Sequence, residues 1–422
     1  MSLTRRLGAA LATLAVTAAP LMAGAGTAQA APDKTPIVLF PAFHFNKVVY
    51  HVEGQQVDPQ CPSSGTFEDW YGNPNPNATF SQVCRDKLMT LQYDSTKINM
   101  KDRFSNQVGV TTTFKDYGKT ASAPFYDPMF SALESAGWVK DVNIRVAGYD
   151  NRLTPDMADF LDNAKALIED TYNDNGGKPV RLVGHSTGPI FAHYLLTHTS
   201  DSWKQKYIQG FTSIAGNLPG QGLLYSTLFA GLNLHNLQYP TSVDNAKSSS
   251  KMMISHPSSY LNAADPAVFG DSEVVLADAS TGKEYTPNDL SAMMQAPGMP
   301  AHAEAVADYY TGFVKFSDSS NYPNVDVRSE IGSGLDTLVG ATLSTLSTGQ
   351  VLDYNNLPVY TADGDGNQEF RTNKSVNVWS NMICHTYKNS DSAGVNHMDL
   401  PSNSGVLQRL IADAESATIP CV

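Results

Sequence analysis

The sequence predicts an α/β fold, a mostly parallel sheet with helices on both faces, and three observations lead there. Short apolar runs of strand length recur at 36–40, 142–146, 180–183 and 207–215. Helical stretches separate the later ones, and strands buried on both faces that alternate with helices pair in parallel. The third observation is bulk. A chain of 422 residues that is 41% hydrophobic, with 17 Phe and 19 Tyr, can bury a large core, which excludes a disordered or collagen-like protein.

In chain order, the first thirty residues stand outside the fold. Arg5 and Arg6 precede an apolar run at 7–20, and Ala28-Gln29-Ala30 forms a small-residue cleavage site. This is the pattern of a secretory signal peptide, and the paired arginines also allow twin-arginine export. The run falls short of the roughly 20 residues a membrane span needs. Cleavage after Ala30 predicts a secreted protein with 26 basic against 41 acidic residues, a net charge of −15. Only 16% of the chain is charged and no basic run occurs, which excludes nucleic acid as a partner. No later stretch has 18 consecutive apolar residues, so membrane contact is at most peripheral.

The 36–40 strand ends at Pro41 and leads into a polar, Gly/Pro/Asn-rich stretch to about residue 100. Thr154-Pro155-Asp156 reads as a helix start, with Thr as N-cap and Pro at the first helical position. Met157, Phe160, Leu161, Ala164, Leu167, Ile168 and Tyr172 then share one helical face until Asn175-Gly176-Gly177 stops it. A strand at 180–183, a buried helix at 189–196 and a strand at 207–215 complete the alternation. Regularity is lost between 220 and 350, where Met252, Met253, Met293, Met294 and Met299 suit an adaptable apolar cap or plain core. It returns with a strand at 357–361, the turn Asp363-Gly364-Asp365-Gly366, a strand at 376–379 and a helix at 406–414. The expected organisation is a signal peptide (1–30), a core (31–219) with a loop at 61–84, a cap or insertion (220–350) and the rest of the core (351–422).

All four cysteines follow the signal peptide, and an even count in an exported chain predicts two disulfides. Of three connectivities, Cys61–Cys84 and Cys384–Cys421 each close a short loop at one end of the chain. No pair has the Cys-x2-4-Cys spacing of a zinc site.

Chemistry enters at Gly184-His185-Ser186-Thr187-Gly188, a Gly-x-Ser-x-Gly directly after a strand and before a helix. That context defines a nucleophile elbow. The Ser sits on a strained turn, the glycines allow close packing, and the next backbone N–H, here Thr187, faces the developing oxyanion. A serine hydroxyl needs a general base and a group that orients it, and in this fold they follow in the order Ser, acid, His. His385 and His397 follow an acidic turn; His397 is the better base because it precedes the last helix from a loop. Asp363 and Asp365 share that turn, and Asp365 lies deeper in it. Asp363-x-Asp365-x-Asn367 also begins like a calcium loop, but Gln368 stands where Gly is required and Lys374 where Glu should be. A second oxyanion donor should come from the loop Pro41-Ala42-Phe43-His44-Phe45-Asn46.

Taken in order, IVLFPAFHFNK, DYGKT, VAGYDNRL, GKPVRLVGHSTG, WKQKYIQGF and ADGDG with a late His resemble segments of the lecithin:cholesterol acyltransferase family, which includes lysosomal-type phospholipase A enzymes. The likeness runs from about 35 to 415 and is thin between 220 and 350. It implies an α/β-hydrolase fold with Ser186 as nucleophile, Asp365 as acid and His397 as base. It also implies Phe43 as oxyanion donor through its backbone N–H, with His44 as the neighbouring candidate. The Cys61–Cys84 loop around Trp70 is similar to the family's lipid-contacting lid, so Trp70 and Tyr71 become interfacial candidates. Asp150 and Arg152 would be structural.

The implied activity is a secreted serine acyl hydrolase or O-acyltransferase that cleaves phospholipid acyl esters through an acyl-serine, with a lipid ester as partner and no cofactor or metal. Ala42 and Phe45 replace loop glycines of the family, Asn151 replaces a tryptophan, and Gly366-Asn367-Gln368 replaces Gly-Thr-Val. Aromatic bulk beside the oxyanion hole narrows the pocket, which argues for ester hydrolysis over sterol acylation. The rival readings are an esterase on short-chain or carbohydrate esters and a hydrolase fold reused as a binding module.

Overall fold

Alternate residues of the Ile37–Phe40 strand point to opposite faces, and both faces are apolar. Ile37 and Leu39 pack with Phe130 and Leu133 of the Asp127–Ser135 helix and Val406 and Leu410 of the Ser404–Ala414 helix. Val38 and Phe40 pack with Phe160, Leu167 and Ile168 of the Phe160–Asp174 helix and Ile190 and Phe191 of the Gly188–Thr197 helix. A four-residue apolar run is thus a strand covered twice, as its composition predicts.

Six strands form the central sheet, in the order Ile383–Lys388, Val327–Ser333, Ile208–Ile214, Val180–His185, Ile37–Phe40, Ile144–Val146. Every pairing is parallel. The chain begins in the interior of this sheet and winds first to one edge, then back across to the other. The order therefore reverses between the Ile37–Phe40 and Val180–His185 strands. In open α/β sheets that reversal leaves a crevice at the carboxyl ends of the strands.

The computed structural model describes residues 33–54, 61–73, 81–157, 159–234, 236–311, 313, 319–375, 379, 383–389 and 395–416. The expected signal peptide, Cys421, the Cys384 side chain and most of the expected 376–379 strand lie outside the described residues.

Several local expectations are corrected. The helix read as starting at Thr154 begins at Phe160. The Thr154 hydroxyl donates to Asp156 at 2.5 Å and lies 3.2 Å from the Tyr310 hydroxyl, and Asp159 takes a left-handed φ of 54°, which interrupts any earlier helical turn. The polar stretch after Pro41 and the segment beyond it hold an antiparallel sheet of Ser64–Asp69, Val48–Glu53 and Val110–Phe114. The Cys61–Cys84 disulfide joins the segment before this sheet's edge strand to the Gln82–Met89 helix. The 220–350 span, read as an insertion, contributes Val327–Ser333 to the main sheet, one strand in from its edge. The strand expected at 357–361 is Val359–Gly364, and it belongs to a separate four-stranded sheet with Lys283–Tyr285, Leu276–Asp278 and Leu335–Leu343.

Candidate active site

Ser186 follows directly on the Val180–His185 strand and adopts φ 59°, a left-handed conformation uncommon for a residue with a side chain. Its backbone is clamped on both sides. Ser186 N–H donates to Ile214 C=O, and Ser186 C=O accepts from Asn217 N–H, each at 3.0 Å. Gly188 is required by space, since a Cβ there would stand 2.1 Å from the Phe40 carbonyl oxygen. The Gly188–Thr197 helix that follows is buried from Gly188 to Leu196, because it lies between the sheet and other helices.

The structure brings the three expected side chains together. His397 Nε2 lies 2.9 Å from Ser186 Oγ, and His397 Nδ1 lies 2.8 Å from Asp365 Oδ2. His397 N–H also donates to Asp365 C=O at 2.8 Å, so the two residues are tied through backbone as well as side chain. The other Asp365 oxygen accepts from Asn367 N–H at 3.0 Å and Gln368 N–H at 2.7 Å. Ser186, Asp365 and His397 are 7%, 0% and 2% exposed.

The rival residues lie elsewhere. Asp363 accepts from the Ser333 hydroxyl at 2.8 Å and Gly334 N–H at 2.6 Å, which ties the strand end to the neighbouring turn. His385, expected just after a strand, is inside Ile383–Lys388, with its ring against Tyr387 and Arg409 Nη2 3.5 Å from its Nδ1.

Three residues that sequence reasoning left unassigned complete the arrangement. His185 Nε2 is 3.0 Å from His397 C=O, which can only accept, so the proton of a neutral His185 sits on Nε2. His185 Nδ1 then accepts from the Tyr126 hydroxyl at 3.0 Å, and Tyr126 in turn accepts from Ala42 N–H at 2.9 Å. Burial, reinforced by the nearby His397, holds His185 well below the usual histidine range, which keeps it neutral. The third residue, Gln368, reaches Ser186 Oγ with its side-chain amide at 3.3 Å. The motif itself displayed His185 as the residue before Ser186; nothing in the linear sequence marked Tyr126 or the Gln368 side chain.

The 41–46 loop is braced from below. Asn46 Nδ2 donates to Tyr149 C=O at 2.7 Å, and Asn151, which stands where the family has a tryptophan, donates to Asn46 Oδ1 at 2.9 Å. Phe43 and Thr187 line the cavity beside Ser186, whereas His44 turns its ring to Asp69, with Nδ1 3.3 Å from Oδ2. The Phe43 and Thr187 N–H groups make no hydrogen bond among the described residues. Asp150 and Arg152 form a buried bidentate pair at 2.9 and 2.7 Å, and Arg152 also donates to Met89 C=O and the Asn106 side chain.

The cavity at Ser186 and His397 has a volume of about 250 Å³ and a mixed wall, with Phe45, Leu224, Leu232, Leu237 and Met253 beside polar Gln221, Thr227, Ser259, Asn262 and Asn367. Of the methionines singled out between 220 and 350, only Met253 reaches it; Met252, Met293 and Met294 are core. Tyr71 is half-buried and stacks on Phe45 at 4.6 Å, one layer behind the cavity, while Lys47 covers the half-buried Trp70 at 5.3 Å. Among the described residues no group of three or more His, Cys, Asp or Glu could hold a metal ion, and no helix is long and apolar enough to cross a membrane.

A fully parallel central sheet, an elbow serine at its order reversal and a histidine and aspartate in line with it define an α/β-hydrolase, an ester-cleaving class of enzyme. A chain in the crystal structure of the Tle4-Tli4 complex has the same fold, with a TM-score of 0.55 and 10% identity over 91% of this chain and 99% of that one. The lecithin:cholesterol acyltransferase family model matches residues 78–344, well over half the chain, and the protein belongs to that family. The match contains Ser186 and stops short of Asp365 and His397.

Among curated proteins the chain is 25% identical to lecithin-cholesterol acyltransferase-like 1 of Oryza sativa subsp. japonica, over 99% of this chain and 93% of that protein. It is 32% identical to phosphatidylcholine-sterol acyltransferase of Mus musculus over 33% of this chain and 35% of that protein. With lysosomal phospholipase A and acyltransferase of Canis lupus familiaris the identity is 31%, over 30% of this chain and 33% of that protein.

Proposed function

We propose that the protein is a secreted serine acyl hydrolase that cleaves fatty acyl esters of phospholipids at an interface and passes the acyl group to water or to another alcohol. One observation carries this reading: the Ser186, His397 and Asp365 contacts at 2.9 and 2.8 Å stand at a cavity walled in part by Phe, Leu and Met side chains. Ser186 Oγ attacks the ester carbonyl while its proton passes to His397 Nε2. Asp365 stabilises the imidazolium through Nδ1–H. The Phe43 and Thr187 N–H groups receive the oxyanion. Collapse sends the His397 proton to the leaving alcohol, and water or a second alcohol then releases the acyl group by the same steps.

The cluster of Phe, Leu and Met side chains on one part of the cavity wall and the similarity to phosphatidylcholine-sterol acyltransferase and lysosomal phospholipase A favour lipid esters. The net charge, −13 for the full sequence and −15 after cleavage at Ala30, argues against attraction to anionic surfaces in bulk, so contact with an interface would run through aromatic groups around Trp70 and Tyr71 in the Cys61–Cys84 segment. Secretion rests on the leader pattern at 1–30 and the disulfide. The hydrolase core would comprise 31–219 and 351–422 together with the Val327–Ser333 strand, the remainder of 220–350 forming a cap.

The test is fluorophosphonate labelling followed by peptide mapping, together with mass analysis after incubation with phosphatidylcholine vesicles. Label on Ser186 with release of fatty acid and lysophospholipid, or of a new ester when an alcohol is added, is expected. Hydrolysis confined to monomeric short-chain esters would overturn the lipid assignment, and absence of label would overturn the enzyme mechanism.

A further inference from the structure

Gln368 belongs to the turn that holds the acid. Its N–H donates to Asp365 Oδ1 at 2.7 Å, and its C=O accepts from Asp365 N–H at 3.1 Å. Its side chain is 0% exposed, and Nε2 lies 3.3 Å from Ser186 Oγ. The acid turn therefore reaches the nucleophile twice, once through His397 and once directly through Gln368. The direction of the second contact follows from proton counting. Ser186 has one hydroxyl proton, and it points to His397 Nε2, the free acceptor of a ring whose Nδ1–H is given to Asp365. The lone pairs of Oγ remain, and of the two ends of the Gln368 amide it is the NH2 that can bind them. Gln368 Oε1 has no hydrogen-bond partner among the described residues, so the side chain is directed by its bond to Oγ.

We propose that Gln368 is a catalytic residue of the second half-reaction, whose N–H contact with Oγ shortens the life of the acyl-serine; this rests on the serine-esterase reading above. In the free enzyme Oγ is a hydroxyl oxygen and a good acceptor. In the acyl-enzyme it is the alkoxy oxygen of an ester, whose electron density is drawn into the carbonyl, so the same N–H is held less well. During deacylation the attacking water forms the new C–O bond and gives its proton to His397 Nε2. The tetrahedral intermediate then collapses, the C–Oγ bond breaks with its electron pair going to Oγ, and His397 returns the proton to Oγ. Gln368 transfers nothing. Its N–H meets charge that grows on Oγ as that bond breaks, and an interaction stronger in the transition state than in the preceding ground state accelerates the step. An alcohol acceptor follows the same course, so the effect is on release of the acyl group and not on the choice of acceptor.

The test compares the full-length protein with Gln368→Met, which keeps length and apolar bulk but has no donor. Release of p-nitrophenol from a p-nitrophenyl ester is followed by stopped flow, with every rate expressed per Ser186 labelled by fluorophosphonate, so that misfolded protein does not count. Gln368→Met should lower the deacylation rate by about tenfold, the effect of one hydrogen bond to a developing charge. An acyl-enzyme burst should accompany it, KM should fall with kcat, and the fluorophosphonate labelling rate should stay within about twofold of wild type. Equal falls in labelling and deacylation would make Gln368 merely structural and overturn the proposal, as would unchanged kinetics without a burst. If the wild type itself neither labels nor turns over, the functional reading fails; if it does both and the variant matches it, the role of Gln368 alone fails.

Discussion

His185 Nε2 lies 3.0 Å from the carbonyl oxygen of His397, so the residue before the elbow serine holds the backbone that carries the base. Through Tyr126 the same ring is linked to Ala42 N–H in the 41–46 loop, and the two loops on either side of Ser186 share one buried brace. Replacing His185 with Phe removes both of its bonds and leaves the Tyr126 hydroxyl proton without its acceptor in the core. We expect kcat to fall about tenfold or more with a smaller change in KM, and stability to fall by about 1–3 kcal/mol. Steady-state ester hydrolysis and thermal melting check the two effects separately.

Asp365→Asn leaves the shape of the turn but cannot stabilise a protonated His397, and it should lower kcat on the order of 10⁴-fold. Asp363→Asn, two residues away, should leave kcat within about twofold, because Asp363 binds only Ser333 and Gly334. Assay of the two variants side by side decides between the aspartates, and an inverted result would remove Asp365 from the mechanism.

The Asp150–Arg152 pair joins the end of the sheet to Met89 and Asn106 beneath the disulfide-linked segment. Burial alone would raise the Asp150 carboxyl, and the Arg152 guanidinium more than reverses this, holding it below the usual range. Arg152→Met therefore leaves an unpaired buried carboxylate and should cost about 3–5 kcal/mol in denaturant unfolding. Adding Asp150→Asn to that variant should restore part of the loss.

Stability should fall as pH rises from 7 to 8. Burial raises Glu330 to about 8 and Glu369 to about 7, both from an ordinary 4.5. Across that window the folded chain keeps protons that the unfolded chain has lost, so each carboxyl stabilises at low pH and loses that contribution as pH rises through its folded pKa. Burial lowers His256 to about 3 and His193 to about 4, and these act in the opposite sense, adding stability as pH rises toward 6.5. His185, also lowered by burial, adds to them, and because unfolded histidines lose their protons around 6.5 the carboxyls outweigh the histidines only above about 7. Thermal melts of wild type should show the decline, and Glu330→Gln should flatten it; a variant with the same slope would remove Glu330 as its source.

Legibility followed distance along the chain. The elbow is five consecutive residues between a strand and a helix, so its fold context could be read directly. The segment after Pro41 could not, because Val48–Glu53 and Val110–Phe114 pair across some sixty residues and carry polar outer faces that look like loop. Thr154 shows the opposite failure. Its sequence has the form of a helix cap, but its hydroxyl is engaged by Asp156 and lies beside the distant Tyr310, and tertiary contact overrides the local signal.

The sequence by itself determined the α/β class, the acidic balance and the place of the nucleophile, since each depends on composition, periodicity or a contiguous motif. Only the tertiary structure decided which aspartate and which histidine face Ser186, and that Tyr126, His185 and Gln368 stand among them. The physical reason is the short reach of a hydrogen bond, about 3 Å. His397 and Gln368 meet Ser186 from 211 and 182 residues away, and only a folded sheet with its loops closed over one end brings such groups within that reach.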